Sequence, residues 1–83
     1  MEELRTLFKA GPGGVMTDDV GVITGDLELL TRCDPAGEVT TLVTYEGAEE
    51  WYRLTGGSTH LHDAKDHEPL HRTLAAVLDR PNG

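Results

Sequence analysis

Leu27-Glu28-Leu29-Leu30-Thr31-Arg32-Cys33-Asp34-Pro35-Ala36-Gly37-Glu38-Val39-Thr40-Thr41-Leu42-Val43-Thr44-Tyr45 is the stretch whose reading decides the fold. Two runs of β-branched and aliphatic residues flank Asp34–Gly37. Asp at the first position, Pro at the second and Gly after the second central residue suit a type I turn closed by a left-handed glycine. That is a three-residue hairpin loop. Loop length sets register, and register decides which side chains share a face. Three residues pair Leu29 with Val43, Thr31 with Thr41 and Cys33 with Val39. A fourth would throw Leu27 and Leu29 onto the face opposite Val39 and Val43.

Working outward, Gly25-Asp26 between two strand-like runs suits a two-residue type II′ turn, which pairs Val22 with Leu29 and Val20 with Thr31. Glu46-Gly47-Ala48-Glu49 offers another Gly-first turn, pairing Val43 with Tyr52 and Thr41 with Leu54. These registers collect Val20, Val22, Leu27, Leu29, Cys33, Val39, Val43, Tyr45, Tyr52 and Leu54 on one buried face.

Residues 2–10 place Leu4, Leu7 and Phe8 at helical spacing, with Glu2 and Glu3 at the start and Lys9 near the end, as a helix dipole favours. Gly11-Pro12-Gly13-Gly14 then stops the helix and serves as a connector. A second helix is expected from about Asp66, its N-cap, to about Asp79, with Pro69 in the first turn and the apolar stripe Leu70, Leu74, Val77 and Leu78. Arg80–Gly83 is expected to fray. The whole reads α-β-β-β-β-α: one small α+β domain over 1–83. It is a two-layer sandwich, a four-stranded antiparallel meander with an N-terminal and a C-terminal helix on one face.

Composition bounds the function. Eighty-three residues with 15 acidic against 7 basic side chains give a net charge of −8. Nucleic-acid binding normally needs a basic stripe, and none is present, so neither nucleic acid nor an anionic membrane is an expected partner. A basic protein partner or self-association fits better. The single cysteine, Cys33, rules out an intrachain disulfide and falls in an apolar strand pattern where a buried, inert thiol is expected. The first residues lack the basic and apolar regions of a secretion signal and no run reaches a membrane span, so a cytoplasmic protein is expected.

All four histidines fall between His60 and His71. His67-Glu68-Pro69-Leu70-His71 matches H-E-x-x-H, in which two histidines on one helix face bind zinc and the glutamate acts as base. Here Pro69 forces the match into a first helical turn, and a chain this short offers little material for a third ligand and a cleft. A small metal-dependent hydrolase is therefore the weakest reading. Binding Zn²⁺ or Ni²⁺ through His60, His62, His67 and His71 is the alternative. Against it, His67 and His71 flank the apolar stripe, where boundary histidines are usually solvated or capped by a carboxylate.

The leading expectation is a non-enzymatic interaction or regulatory module, homodimerisation included, acting through the open sheet face or the edge of the fourth strand. The registers place Ile23, Leu30, Arg32, Leu42, Thr44, Trp51 and Arg53 there. An open antiparallel face is normally polar, and Trp and Arg are the types enriched at binding hot spots.

Overall fold

The computed structural model describes residues 1–81. Its elements run β1 (Glu2–Thr17), β2 (Gly21–Cys33), β3 (Glu38–Tyr45), β4 (Tyr52–Arg53), β5 (Thr59–His60), a 3₁₀ turn (Ala64–Asp66) and α1 (His67–Leu78). The antiparallel sheet has the order β1-β2-β3-β4, and β5 pairs with β3 beyond β4. The class is an antiparallel sheet with one C-terminal helix.

The expected N-terminal helix is a strand. Phe8 and Ala10 are buried and Leu4 half-buried on one side of β1, while Leu7 is 58% exposed on the other. Leu4, Leu7 and Phe8 satisfy a helical period, but Leu4, Phe8 and Ala10 satisfy a period of two. Long-range pairing across Glu2–Ala10 and Gly25–Cys33 decides between them. Gly11–Gly14 does not end the element; β1 bulges there and resumes at Val15 opposite Ile23. Gly14 has φ +65, and a Cβ on it would lie 2.5 Å from the Ile23 carbonyl oxygen, so only glycine fits the bulge.

The Asp34–Gly37 hairpin forms as its chemistry dictates. Leu29 pairs with Val43, Thr31 with Thr41 and Cys33 with Val39. Gly37 takes φ +94 and its N–H reaches the Asp34 carbonyl at 3.0 Å. The Asp34 carboxylate accepts from the N–H groups of Ala36 and Glu38. Val43 pairs with Tyr52, and the Leu54 N–H bonds the Thr41 carbonyl. The turn before β4 differs in type. Ala48 N–H bonds Tyr45 C=O and Gly47 takes φ +82, so glycine occupies the second central position, as in a type II turn.

No turn forms at Gly25-Asp26; β2 runs straight through it. This corrects two assignments, Val22 and Ile23, by one parity argument. A two-residue turn puts Val22 and Leu29 on one face, whereas a continuous strand puts them on opposite faces. Hence Val22 is 52% exposed and Ile23 lies in the core. Val20 precedes β2 in the turn after Thr17 and is equally exposed. Tyr45, also expected in the core, is 44% exposed, because α1 packs over β1 and β2 and leaves that end of β3 uncovered.

Phe8, Ala10, Val15, Ile23, Leu27, Leu29, Val43 and Ala75 form the main core, with Tyr52, Leu54, Leu74 and Leu78 packed around them. The bulge lets the end of β1 swing across to Leu54. A bridge joins Thr17 to Leu54, Thr55 N–H bonds Met16 C=O, and Asp18 N–H bonds Arg53 C=O. The sheet thus curls until its two edges meet at one corner.

Candidate functional site

The helix that covers the sheet does so with histidines. The inward face of α1 is centred on His67, His71 and Ala75, with Leu70, Leu74 and Leu78 half-buried beside them, and Val77 is exposed. The expected apolar stripe is thus rotated. His67 and His71 are 0% and 6% exposed, so they are not boundary residues. Ala75, lacking bulk, lets the helix approach the sheet. The cap is also displaced. Asp66 makes no side-chain cap bond, and Asp63 instead accepts from Lys65 N–H at 2.9 Å to start the 3₁₀ turn that leads into α1.

Each histidine ring is held at both nitrogens. His67 Nδ1 lies 2.6 Å from Glu2 Oε1 and its Nε2 2.7 Å from Thr31 Oγ1. His71 Nδ1 lies 2.7 Å from the same Thr31 hydroxyl and its Nε2 2.8 Å from Thr6 Oγ1. With both rings neutral and Glu2 ionised, one proton arrangement satisfies all four bonds. Thr6 donates to His71, His71 to Thr31, Thr31 to His67, and His67 to the Glu2 carboxylate. One added proton on either ring can still be accommodated by turning hydroxyls and exchanging tautomers. A second cannot: both imidazoliums would donate to Thr31, whose own hydrogen would then lose its acceptor. Burial pushes the His71 pKa below its ordinary value, and neighbouring His67 pushes the same way, while Glu68 opposes them.

Glu2, His67 and Thr31 have the connectivity of an acid–imidazole–hydroxyl triad. Thr31 is 0% exposed, and its oxygen is already shared by two rings. No acyl carbon can reach it, so the arrangement fastens α1 to β1 and β2 rather than presenting a nucleophile. For the same reason His67 and His71 have no ring nitrogen free for a metal. His60 and His62 lie apart from them on the surface, their rings 5.9 Å apart and nearly perpendicular, with His60 Nδ1 2.7 Å from Glu38 Oε1. The four histidines therefore form two separate pairs. Among the described residues, no three His, Cys, Asp or Glu side chains come together to hold a metal ion.

The residues expected on an open sheet face divide differently. Ile23 is in the core, by the parity argument above. Leu30, Leu42 and Thr44 do lie on the side away from α1, yet they are 0%, 8% and 0% exposed. The cover comes from the segment between β3 and β4. Thr44 Oγ1 donates to the Glu50 carbonyl, and the Trp51 ring lies 5.4 Å from the Arg5 guanidinium. Arg5, Leu30 and Leu42 stand in one cross-strand row, so an indole that reaches Arg5 spans that row. Arg32 pairs with Glu3 at 2.7 Å, and Arg53 with Asp19 at 3.3 Å. The Arg53 backbone N–H, bonded to Asp19, lowers that carboxyl's pKa, with the guanidinium adding to it. What stays exposed is Leu7 on β1 and, around the β1–β2 turn, Met16, Val20 and Val22. Met16 and Val22 are direct cross-strand partners. Sequence reasoning missed this patch because it placed Val20 and Val22 inside.

Comparison with protein-family models, curated protein sequences and solved structures finds no match to the chain. No helix among the described residues is long and apolar enough to cross a membrane.

Proposed function

We propose that the protein is a non-enzymatic interaction module whose contact surface is the tip of the β1–β2 hairpin. One observation carries this: Met16, Val20 and Val22 are each about half exposed at one hairpin tip, with Met16 and Val22 paired across the strands, while the buried hydroxyls and imidazoles are committed to holding α1. Clustered exposed apolar side chains rimmed by charge, here Asp18 and Asp19, are the pattern of a protein-binding patch. The net charge of −8 favours a basic protein as the partner.

The test compares affinity capture on the wild-type protein and on Met16→Lys/Val22→Lys, with matched circular dichroism and thermal midpoints. A protein retained by the wild type and lost by the variant, with basic side chains at the mapped contact, is the expected result. Equal retention by both would end the proposal.

A further inference from the structure

The outer edge of β1 points to a second partner surface, independent of the hairpin tip. Lys9 shows which way that edge faces. Its N–H bonds Asp79 Oδ1 at 3.0 Å and its C=O accepts from Arg80 N–H at 2.7 Å, so both groups point away from β2. The pairing of Glu2–Ala10 with Gly25–Cys33 is regular, so direction alternates along the strand. Glu3, Arg5 and Leu7 therefore also aim N–H and C=O outward, and no partner among the described residues meets them. Unpaired edges of this kind template strand addition.

We infer that the occupant is β1 of a second copy of this chain, paired antiparallel about a two-fold axis at Leu4. Outward-facing residues must lie opposite one another, which limits the registers to those whose paired numbers sum to an even value. Registers centred on Arg5 or Thr6 need the backbone of Lys9, which Asp79 and Arg80 already occupy. The register centred on Leu4 uses only Met1–Leu7. It sets Glu3 opposite Arg5 of the second copy, twice, and Met1 opposite Leu7, twice. Opposite charges thus meet opposite charges, and two of the most exposed apolar side chains, Met1 at 76% and Leu7 at 58%, meet each other. Glu3 would then sit between its own Arg32 and the second copy's Arg5, giving a row of alternating sign. The two sheets would join edge to edge, with both α1 helices on the same side.

Sedimentation equilibrium and amide hydrogen exchange test this on the full chain. The expected species is a dimer at micromolar to millimolar concentration, with the Glu3, Arg5 and Leu7 amides becoming slow to exchange as the dimer fills. Arg5→Glu replaces two attractive pairs by repulsive ones and should weaken the dimer about tenfold or more. Arg5→Pro removes an N–H that the monomer does not use, together with the guanidinium contact to Trp51, and should abolish the dimer while the fold, checked by circular dichroism, persists. A monomer at millimolar concentration would overturn the inference. So would fast exchange at these amides in a dimer, or a dimer indifferent to both substitutions. None of these outcomes bears on capture by the hairpin tip, so the two proposals fail separately.

Discussion

Thr31 is the residue on which the two layers depend. Its single hydroxyl serves two imidazoles and sits where no water reaches it, so its loss cannot be repaired by solvent. Thr31→Val keeps the shape of the side chain and leaves His67 Nε2 and His71 Nδ1 without partners. An orphaned buried polar group costs about 1–3 kcal/mol, so a loss of roughly 3 kcal/mol is expected. Urea unfolding of the wild type and variant measures it; a difference under about 0.5 kcal/mol would show that the hydroxyl does not hold the helix. Nothing local announces this role. Thr31 was legible as a core-facing strand residue paired with Thr41, because Asp34-Pro35-Ala36-Gly37 fixes the register. Its partners are supplied by residues 36 and 40 positions later. The H-E-x-x-H match drew attention to two histidines whose rings are hydrogen-bonded to the opposite layer, and a pattern of residue types does not say what that layer offers them.

At the scale of elements, α1 is attached through groups that titrate. The His71 pKa is depressed, chiefly by burial, so near its ordinary value of 6.5 the unfolded chain binds more protons than the folded one. Stability therefore falls as pH drops through 6.5 toward the lowered value, and this contribution changes no further below it. Glu68 on α1 opposes the loss, and the neighbouring imidazole of His67 adds to it. The urea midpoint is expected to fall between pH 8 and pH 5 by more in the wild type than in His71→Gln, which removes the titrating ring. Parallel declines would remove His71 as the cause. The two elements misread from sequence failed for related reasons. β1 carries Thr6 where an apolar residue would have made the alternation plain, and Thr6 is polar because it serves His71. β2 carries Gly25-Asp26 in a strand interior, where turn chemistry is present but the partner strand overrides it.

For the molecule as a whole, the fastenings between Glu2 and His67 and between Thr6 and His71 each close a span of sixty-five residues. Closing so long a loop costs entropy that only the finished sheet can offset, whereas the three-residue hairpin between β2 and β3 closes cheaply. The order of events in folding follows: the hairpin forms early, β1 adds to it, and α1 settles last onto a surface already built. Ala75→Gly should therefore speed unfolding while leaving the refolding rate within about twofold, and Val39→Ala should slow refolding. Stopped-flow kinetics decides, and a refolding rate that falls with Ala75→Gly would place the helix in the nucleus instead. Until that last step, the polar cluster around Thr31 lies open to water beside Phe8, Leu27 and Leu29, so the sheet that awaits α1 presents an apolar floor with a hydrated patch at its centre.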